Sequence, residues 1–208
     1  MSNLPTAIRR HLSALRILIL MTVVCGVIYP LAVTGVAQAA FGHRANGSLV
    51  KQDGHVVGSS LLGQNFDLPK KNPDNADEAP RPDPKFFQPR PSAGGYDPLA
   101  SGATNLGPND PDLVKAIQQR RHDIAAFDGV DPAKVPADAL TSSGSGLDPD
   151  ISPAYAYEQV NRVAKARGLS ADEVHKLVAD NVDGRSLGFL GEAHVNVLEL
   201  NKDLAKLS

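Results

Sequence analysis

The chain has 208 residues and a formal net charge of −2, from 21 basic and 23 acidic side chains. Three of the basic residues (Arg9, Arg10 and Arg16) and none of the acidic ones precede Gly42, so the chain after Gly42 carries 18 basic residues against 23 acidic ones. This acidic balance opposes nucleic-acid binding, so we expect no nucleic-acid partner, and the single cysteine, Cys25, excludes an intramolecular disulfide.

An uncharged apolar stretch runs from Ile17 to Gly42, behind a leader of residues 1–16. It exceeds the ~20 residues that a helix needs to cross a ~30 Å hydrocarbon core. The leader contains three arginines and no acids, which favours a cytoplasmic N-terminus. We therefore predict a single transmembrane helix over residues 17–42 in the cell inner (plasma) membrane, with the remaining chain outside the cytoplasm.

A cleaved signal peptide is the alternative interpretation of the same stretch. Ala37-Gln38-Ala39 is a small-x-small pattern suited to cleavage before Ala40. The apolar region of a signal peptide usually spans about 7–15 residues, whereas here it continues past Pro30 as far as Phe41. We favour a retained anchor.

Two small residues, Gly35 and Ala39, stand four apart and share one face of the predicted membrane helix. Such a pair lets a second transmembrane helix approach closely, so both are candidate membrane-helix packing residues. Small pairs also occur in membrane helices without any packing role. Pro30 is expected to kink the helix, because it lacks a backbone N–H and clashes with the preceding turn.

The remainder, residues 43–208, has the length of one ordinary domain. Asp53-Gly54 separates two short β-prone runs and predicts a tight hairpin turn. Ten of the sixteen prolines fall between Asp67 and Pro111, which excludes a continuous helix there. Residues 67–84 are also charged and poor in large apolar side chains, so we predict a mobile surface insertion.

About three helices are predicted after this region. Asp110-Pro111 begins the first, Ser152-Pro153 begins the second, and a Ser170–Glu173 capping box begins the third. Gly168 is expected to end the second helix. Val195, Val197 and Leu198 then suggest a final strand, with a short helical tail after Asn201. The fold class is therefore α+β with one small antiparallel sheet.

No pattern in the sequence predicts catalysis. None of the six histidines stands at metal-ligand spacing from another, so we predict no metal site. Ser143-Gly144-Ser145-Gly146 lacks the spacing of a nucleophile elbow, which needs a glycine two residues to either side of the serine. We expect no catalytic residue and no cofactor bound by this chain itself.

The chain resembles the C subunit of the bacterial Kdp high-affinity potassium-transporting P-type ATPase over nearly its whole length. The resemblance rests on these blocks, in order: NGSLV (46–50), VGSSLLGQNF (57–66), FFQPRPSA (86–93), SGATNLGPNDPDL (101–113), SGSGLDPDISPAYA (143–156), RVAKARGLS (162–170) and LGFLGEAHVNVLELN (187–201). Each block is weak alone, but their order behind one anchor is specific. The segment after Phe66 is longer and more charged than the resemblance leads us to expect.

The resemblance implies an accessory subunit with one membrane helix and no enzymatic activity, bound to a potassium-translocating and an ATP-hydrolysing subunit. It also implies a catalytic chaperone that raises the ATP affinity of the ATP-hydrolysing subunit, so ATP is expected through the complex. Gln159 matches a glutamine proposed to contact the nucleotide; the alternative is a structural helix residue. ATP is cytoplasmic, however, whereas the arginine bias places Gln159 outside, which leaves indirect coupling.

We therefore predict a non-catalytic accessory subunit needed for assembly and stabilisation of an ATP-driven potassium uptake pump. Its exterior domain is expected to bind the channel-like subunit near the ion entrance. The alternative is a secreted or membrane-anchored binding module with no pump partner. Copurification with large membrane subunits distinguishes the two.

Overall fold

The computed structural model describes residues 5–75 and 78–207. The chain divides into two compact units, the first ending at Ser48 and the second beginning at Leu49. The fold is mixed α and β: one long apolar N-terminal helical run, then short antiparallel strands and several helices. The predicted fold class is confirmed.

The first unit is helical from Thr6 to Ala45, in three pieces: α1 (Thr6–Val23), a π-helical turn (Val24–Ile28) and α2 (Tyr29–Ala45). This run is long and apolar enough to cross a membrane, and it includes the predicted span. The distortion expected at Pro30 takes the form of the π-helical turn just before it. Because proline has no N–H and crowds the carbonyl four residues earlier, a widened turn at that point relieves the clash.

The second unit opens with the predicted hairpin, β1 (Leu49–Gln52) paired antiparallel with β2 (His55–Ser59). The turn residues Asp53 and Gly54 both have positive φ, 51° and 82°. Those values belong to the turn type whose twist matches the twist of the two strands, and Asp-Gly is a favoured pair in it. The hairpin prediction is confirmed.

The helices of this unit are α3 (Pro111–Asp128), α4 (Ala137–Leu140), α5 (Pro153–Glu158), α6 (Val160–Arg167), α7 (Ala171–Asp180) and α8 (Val197–Leu204), with a 3₁₀ turn at Pro132–Lys134. The predicted starting signals act as expected: the side chains of Asp110, Ser152 and Ser170 each accept a backbone N–H in the first turn. Gly168 ends α6 at a φ of 70°. The predicted second helix is, however, two helices, divided at Gln159.

Two sequence predictions about strands are wrong in detail. The expected single sheet is, within the described residues, two separate two-stranded sheets, β1–β2 and β3 (Asp150–Ile151) with β4 (Val195–Asn196). The final strand also stops at Asn196, because the Asn196 side chain accepts the Glu199 N–H and begins α8. The apolar side chains at Val197, Leu200 and Leu204 then follow helical spacing and are buried.

The hydrophobic core lies among α3 to α8, the two short strands β3 and β4, and one irregular segment. Its central side chains are buried to 2% exposure or less: Phe87, Ile151, Val163, Val174, Val178, Val195, Val197, Leu200 and Leu204. Phe87 comes from the proline-rich region and belongs to no helix or strand. That region therefore reaches the centre of the domain without regular secondary structure.

The proline-rich excursion after Phe66 leaves and re-enters the domain at paired positions. The N–H of Leu68 donates to the Arg81 carbonyl at 2.8 Å, and the N–H of Asp83 donates to the Phe66 carbonyl at 3.0 Å. The Glu78 carboxylate accepts two backbone N–H groups across the excursion, from Lys71 and Asn72. The excursion is thus closed at its base; its mobility stays a prediction.

Candidate functional site

The loop of residues 141–149, which contains the SGSGLDP motif, is organised by its own serine hydroxyls. The Ser143 hydroxyl accepts the Gly146 N–H at 2.9 Å, and the Ser145 hydroxyl accepts the Leu147 N–H at 3.0 Å. Serine side chains commonly stabilise turns in this way. These hydroxyls shape the turn, and neither is paired with a histidine as an activated nucleophile would be.

Three other motif blocks converge on this loop through hydrogen bonds to its carbonyl groups. Gly102 donates its N–H to Ser145 at 2.8 Å, Gly63 donates its N–H to Leu147 at 2.8 Å, and Ser92 donates its hydroxyl to Gly146 at 2.7 Å. The carbonyls of residues 145–147 are therefore a junction for chain segments that lie 43, 54 and 84 residues earlier in the sequence. Four of the sequence blocks that carry the family resemblance meet here.

The junction borders a cavity of about 560 Å³. Serine side chains and the Arg90–Asp148 ion pair (2.8 Å) line one part, and the exposed Leu61 and Leu62 line another. Asp148 and the Thr141 carbonyl accept from the two terminal nitrogens of Arg90, whereas Arg90 Nε and the Ser142 hydroxyl are buried without a hydrogen-bond partner among the described residues.

A second cluster, which we call the buried clamp, holds the backbone of residues 86–88. Asn201 binds both backbone groups of Phe87, accepting its N–H and donating to its carbonyl, each at 2.9 Å. Gln159 does the same for Gln88, at 2.6 and 3.1 Å. This segment has no neighbouring strand, and buried backbone groups must be paired, so side-chain amides take the place of a strand.

Arg162 completes the buried clamp by using the rest of its guanidinium. It donates to the carbonyls of Pro84 and Phe86 at 2.8 and 2.9 Å, and to the Gln159 side-chain oxygen at 2.6 Å. Its Nε lies 2.5 Å from the Asp128 carboxylate, and both side chains are almost fully buried. Burial raises the pKa of Asp128 above its ordinary value, and the facing guanidinium opposes that rise.

Gln159, the candidate nucleotide contact, therefore lies in the interior of the domain with 0% exposure. Its side-chain oxygen accepts from the Gln88 N–H and from Arg162, and its side-chain nitrogen donates to the Gln88 carbonyl. A nucleotide that reached this amide would have to displace those bonds. Contact with ATP stays a prediction, and the structure supplies a different use for the residue.

Glu158, next to the clamp, is an acid in an unfavourable environment. Its carboxyl oxygen Oε1 is buried without a hydrogen-bond partner among the described residues. Burial, followed by the nearby charges of Asp128 and Asp138, raises the pKa of Glu158 to about 7. Asp138 has a structural task, because it accepts the N–H and hydroxyl of Ser152 at the start of α5.

The other predicted site residues belong to the first unit. Gly35 and Ala39 lie in α2 and are exposed, and a Cβ at Gly35 would meet nothing within 4 Å. The face is open enough for another helix, and its packing stays a prediction. Among the residues that the structure describes, no group of three or more His, Cys, Asp or Glu side chains could hold a metal ion.

Sequence reasoning missed the remaining members of the clamp and one exposed apolar loop. Arg162 and Asn201 sit inside the quoted motif blocks, yet nothing local shows that they bind backbone groups 76 and 114 residues away. The loop between α7 and β4 carries Leu187, Phe189 and Leu190 on its surface. The sequence feature that could have indicated this loop is the set of three large apolar residues between Gly184 and Gly191.

Known proteins match this chain along nearly its full length. The family model "KdpC: K+-transporting ATPase, c chain" matches residues 11–206. A protein of Streptomyces coelicolor named "Potassium-transporting ATPase KdpC subunit" is 48% identical over 219 residues, covering 99% of this chain and 96% of the relative. Proteins of the same name from Streptomyces avermitilis (50% identical; 100% and 98% covered) and Sorangium cellulosum (51% identical; 90% and 93% covered) match similarly. The chain belongs to the KdpC family.

Proposed function

We propose that this chain is the single-pass accessory subunit of an ATP-driven potassium pump and that it has no enzymatic activity of its own. The observation that carries the proposal is the full-length match to relatives named as subunits of the potassium-transporting ATPase. The match starts at residue 11, so it includes the apolar helix as well as the second unit. We infer that helix and domain act together, as an anchor and a partner-binding domain.

Copurification tests the pump assignment. Full-length chain with a C-terminal affinity tag, extracted in mild detergent from cells that express the whole operon, should bring down the potassium-translocating and ATP-hydrolysing subunits. Recovery of the chain without large membrane subunits, after crosslinking as well as without it, would reject the pump assignment. It would leave the alternative, a secreted or membrane-anchored binding module.

We further propose that the second unit lies outside the cytoplasm, beside the channel-like subunit and near the ion entrance. The support is the charge pattern: Arg9, Arg10 and Arg16 precede the apolar run, and no acid does. A retained anchor keeps the domain at the membrane, since three residues (46–48) separate the end of α2 from β1.

Cysteine labelling tests this orientation. Cys25 is the natural cysteine and lies in the apolar run, so a Cys25→Ser chain provides a thiol-free background. A Leu99→Cys variant, at a position with 95% exposure, should react with a membrane-impermeant maleimide in intact spheroplasts. A Thr6→Cys variant should react only after the membrane is opened. The reverse pattern would place the domain in the cytoplasm.

For ATP affinity, we propose indirect coupling in place of a contact by this chain. The proposed orientation separates the domain from cytoplasmic ATP, and the Gln159 amide is occupied by Gln88 and Arg162. A bound subunit changes the nucleotide affinity of its partner only by binding the partner's conformations with different affinities. Saturable ATP binding to the purified full-length chain, free of other subunits, would contradict this mechanism.

A further inference from the structure

The end of the apolar helix α2 is closed by a pair of side-chain amides. Gln38 Nε2 donates to Asn46 Oδ1, and Asn46 Nδ2 donates to Gln38 Oε1, each at 3.1 Å. In a straight α-helix, two residues eight apart are separated by roughly 12 Å along the axis. The two amides meet because the backbone departs from helical geometry at Phe41, where φ is −136° and ψ is 36°. An amide on an apolar helix needs such a partner, because hydrocarbon offers none.

The backbone that follows forms a tight helix-ending motif. Gly47 donates its N–H to the Arg44 carbonyl and Ser48 donates its N–H to the His43 carbonyl, each at 3.1 Å. These two bonds define a Schellman motif, which needs the left-handed φ of 86° found at Gly47. Asn46 is the C-cap residue, and its Nδ2 also donates to the Gly42 carbonyl at 2.6 Å. The end of this helix therefore uses an amide at position 46 and a glycine at position 47.

Asn46-Gly47 is the one Asn-Gly pair in the sequence, and this pair has a chemistry of its own. Asparagine is thermally labile, and a following glycine has no side chain to hinder attack by its backbone nitrogen. Once hydroxide has removed its proton, the Gly47 nitrogen can attack Asn46 Cγ. The new C–N bond forms, the Cγ–Nδ2 bond breaks, and Nδ2 leaves as ammonia after taking a proton from water. Water then opens the succinimide ring at Cγ to give aspartate, or at the backbone carbonyl carbon to give isoaspartate.

The folded chain engages every group that this reaction uses. The attacking nitrogen of Gly47 donates to Arg44, the leaving nitrogen of Asn46 donates to Gln38 and Gly42, and the Asn46 oxygen accepts from Gln38. The Asn46 side chain must turn toward the Gly47 nitrogen for the attack, which breaks both of its bonds to Gln38. Only an opened helix end therefore reacts, so the fraction of opened molecules sets the rate.

We propose that Asn46 is a spontaneous deamidation site that the Gln38 amide keeps closed. The product carboxylate has no N–H to donate to Gln38 or to the Gly42 carbonyl. Its negative charge also stands at the C-terminal end of a helix, where the helix dipole opposes it. Isoaspartate lengthens the backbone before Gly47, so the bonds of the Schellman motif no longer fit. Gln38 thus protects the end of the apolar helix from an irreversible change, whatever the partners of the chain are.

Peptide mass spectrometry tests the proposal on the full-length chain, incubated in detergent at mildly alkaline pH. Gln38→Leu replaces the amide by an apolar side chain of similar size. It should raise the rate of conversion of Asn46 about tenfold, because the two hydrogen bonds between the amides no longer oppose opening. Thr34→Val is the control, since it removes a polar group from the same helix and leaves both amides in place, and it should not change the rate. Equal rates in the natural chain and Gln38→Leu would overturn the proposal.

Unfolding the chain in guanidinium supplies an independent result that does not depend on how the variants fold. The unfolded natural chain should convert Asn46 at least ten times faster than the folded chain does. Gly47→Ala should slow the reaction of the unfolded chain at least fivefold, because its methyl group hinders the attacking nitrogen. No conversion of Asn46 in the unfolded natural chain, or the same rate folded and unfolded, would show that Asn46 is not a protected deamidation site.

Discussion

The buried clamp and the exposed turn of Leu187, Phe189 and Leu190, which we call the apolar tip, use side chains in opposite ways. In the clamp, polar side chains (Gln159, Arg162 and Asn201) lie in the core, where they bind backbone groups of residues 84–88. In the tip, apolar side chains lie on the surface, on a backbone that pairs with itself. A residue's polarity therefore identifies neither its location nor its function here. The hydrogen-bond partners of the backbone distinguish the two regions.

The difference predicts that substitutions in the two regions affect stability differently. Substitutions in the clamp should lower the free energy of unfolding, because each removed side chain leaves buried polar groups unpaired. Substitutions at the tip should leave the free energy of unfolding unchanged, because its side chains lie outside the core. The following predictions test the clamp, the junction at the SGSGLDP loop and Glu158, which lies beside the clamp. Each uses the full-length chain in detergent, with denaturant unfolding followed through the fluorescence of its buried tyrosines.

The largest effect is expected for Arg162→Ala. This change leaves the buried Asp128 carboxylate without its cation and leaves the carbonyls of Pro84 and Phe86 without a donor. Breaking a buried ion pair from one side costs about 3–5 kcal/mol. Lys165→Ala is the matched control, since Lys165 lies on the same helix and is exposed, and the change should lower the free energy of unfolding by less than ~1 kcal/mol. Equal losses in the two variants would contradict the clamp.

The next largest effect is expected for Gln159→Ala, which should lower the free energy of unfolding by about 3 kcal/mol. Both backbone groups of Gln88 would then be buried and unpaired. Asn201→Ala removes the partners of the Phe87 N–H and carbonyl, so it should lower the free energy of unfolding by a similar amount. In the assembled pump at low temperature, both variants should change the KM for ATP equally. A larger increase for Gln159→Ala alone would revive the nucleotide contact.

Two neighbouring glycines test the junction at the SGSGLDP loop. Gly146 has a φ of 68°, and a Cβ there would lie 2.8 Å from the Gly102 carbonyl, whereas a Cβ at Gly144 would meet nothing within 4 Å. Gly146→Ala should therefore cost about 2 kcal/mol, from the left-handed backbone and the clash together. Gly144→Ala should stay within ~0.5 kcal/mol. Similar values for both would mean that the loop is free to rearrange.

The part of the fold predictable from sequence is the part encoded locally. Asp53-Gly54, Asp110-Pro111 and the Ser170–Glu173 capping box each act within four residues, and each forms as expected. The prediction that the strand continues past Asn196 was wrong, because the apolar pattern of this segment fits both a strand and a helix. The helix forms because the Asn196 side chain caps it, accepting the N–H of Glu199 at the third helical position.

The clamp and the tip were not predictable, for two different physical reasons. The clamp joins Gln159 to a partner 71 residues away and Asn201 to one 114 residues away, and a single sequence does not show such pairings. At the tip, a run such as Leu187 to Leu190 has the composition of a core segment. Its exposure follows from the narrow turn at Ser186 and Leu190, which forms only when the loop folds.

The smallest effect concerns Glu158, beside the clamp, and it depends on pH. Its pKa is about 7 in the folded chain against an ordinary 4.5, so the folded state holds this proton more tightly than the unfolded state does. The stability contributed by this group therefore falls as pH rises from about 4.5 to 7, and the penalty is complete above 7. Glu158→Gln removes the charge and keeps the shape. It should stabilise the chain by roughly 1 kcal/mol at pH 8, after allowance for the solvent that reaches this partly exposed residue, and by nothing at pH 4.

Glu192→Gln, on the exposed loop, is the control and should leave the free energy of unfolding unchanged at both pH values. A Glu158→Gln variant that is less stable than the natural chain at pH 8 would show that the ionised carboxylate has a favourable partner. The clamp would then extend to Glu158, whose oxygen Oε1 has no hydrogen-bond partner among the described residues.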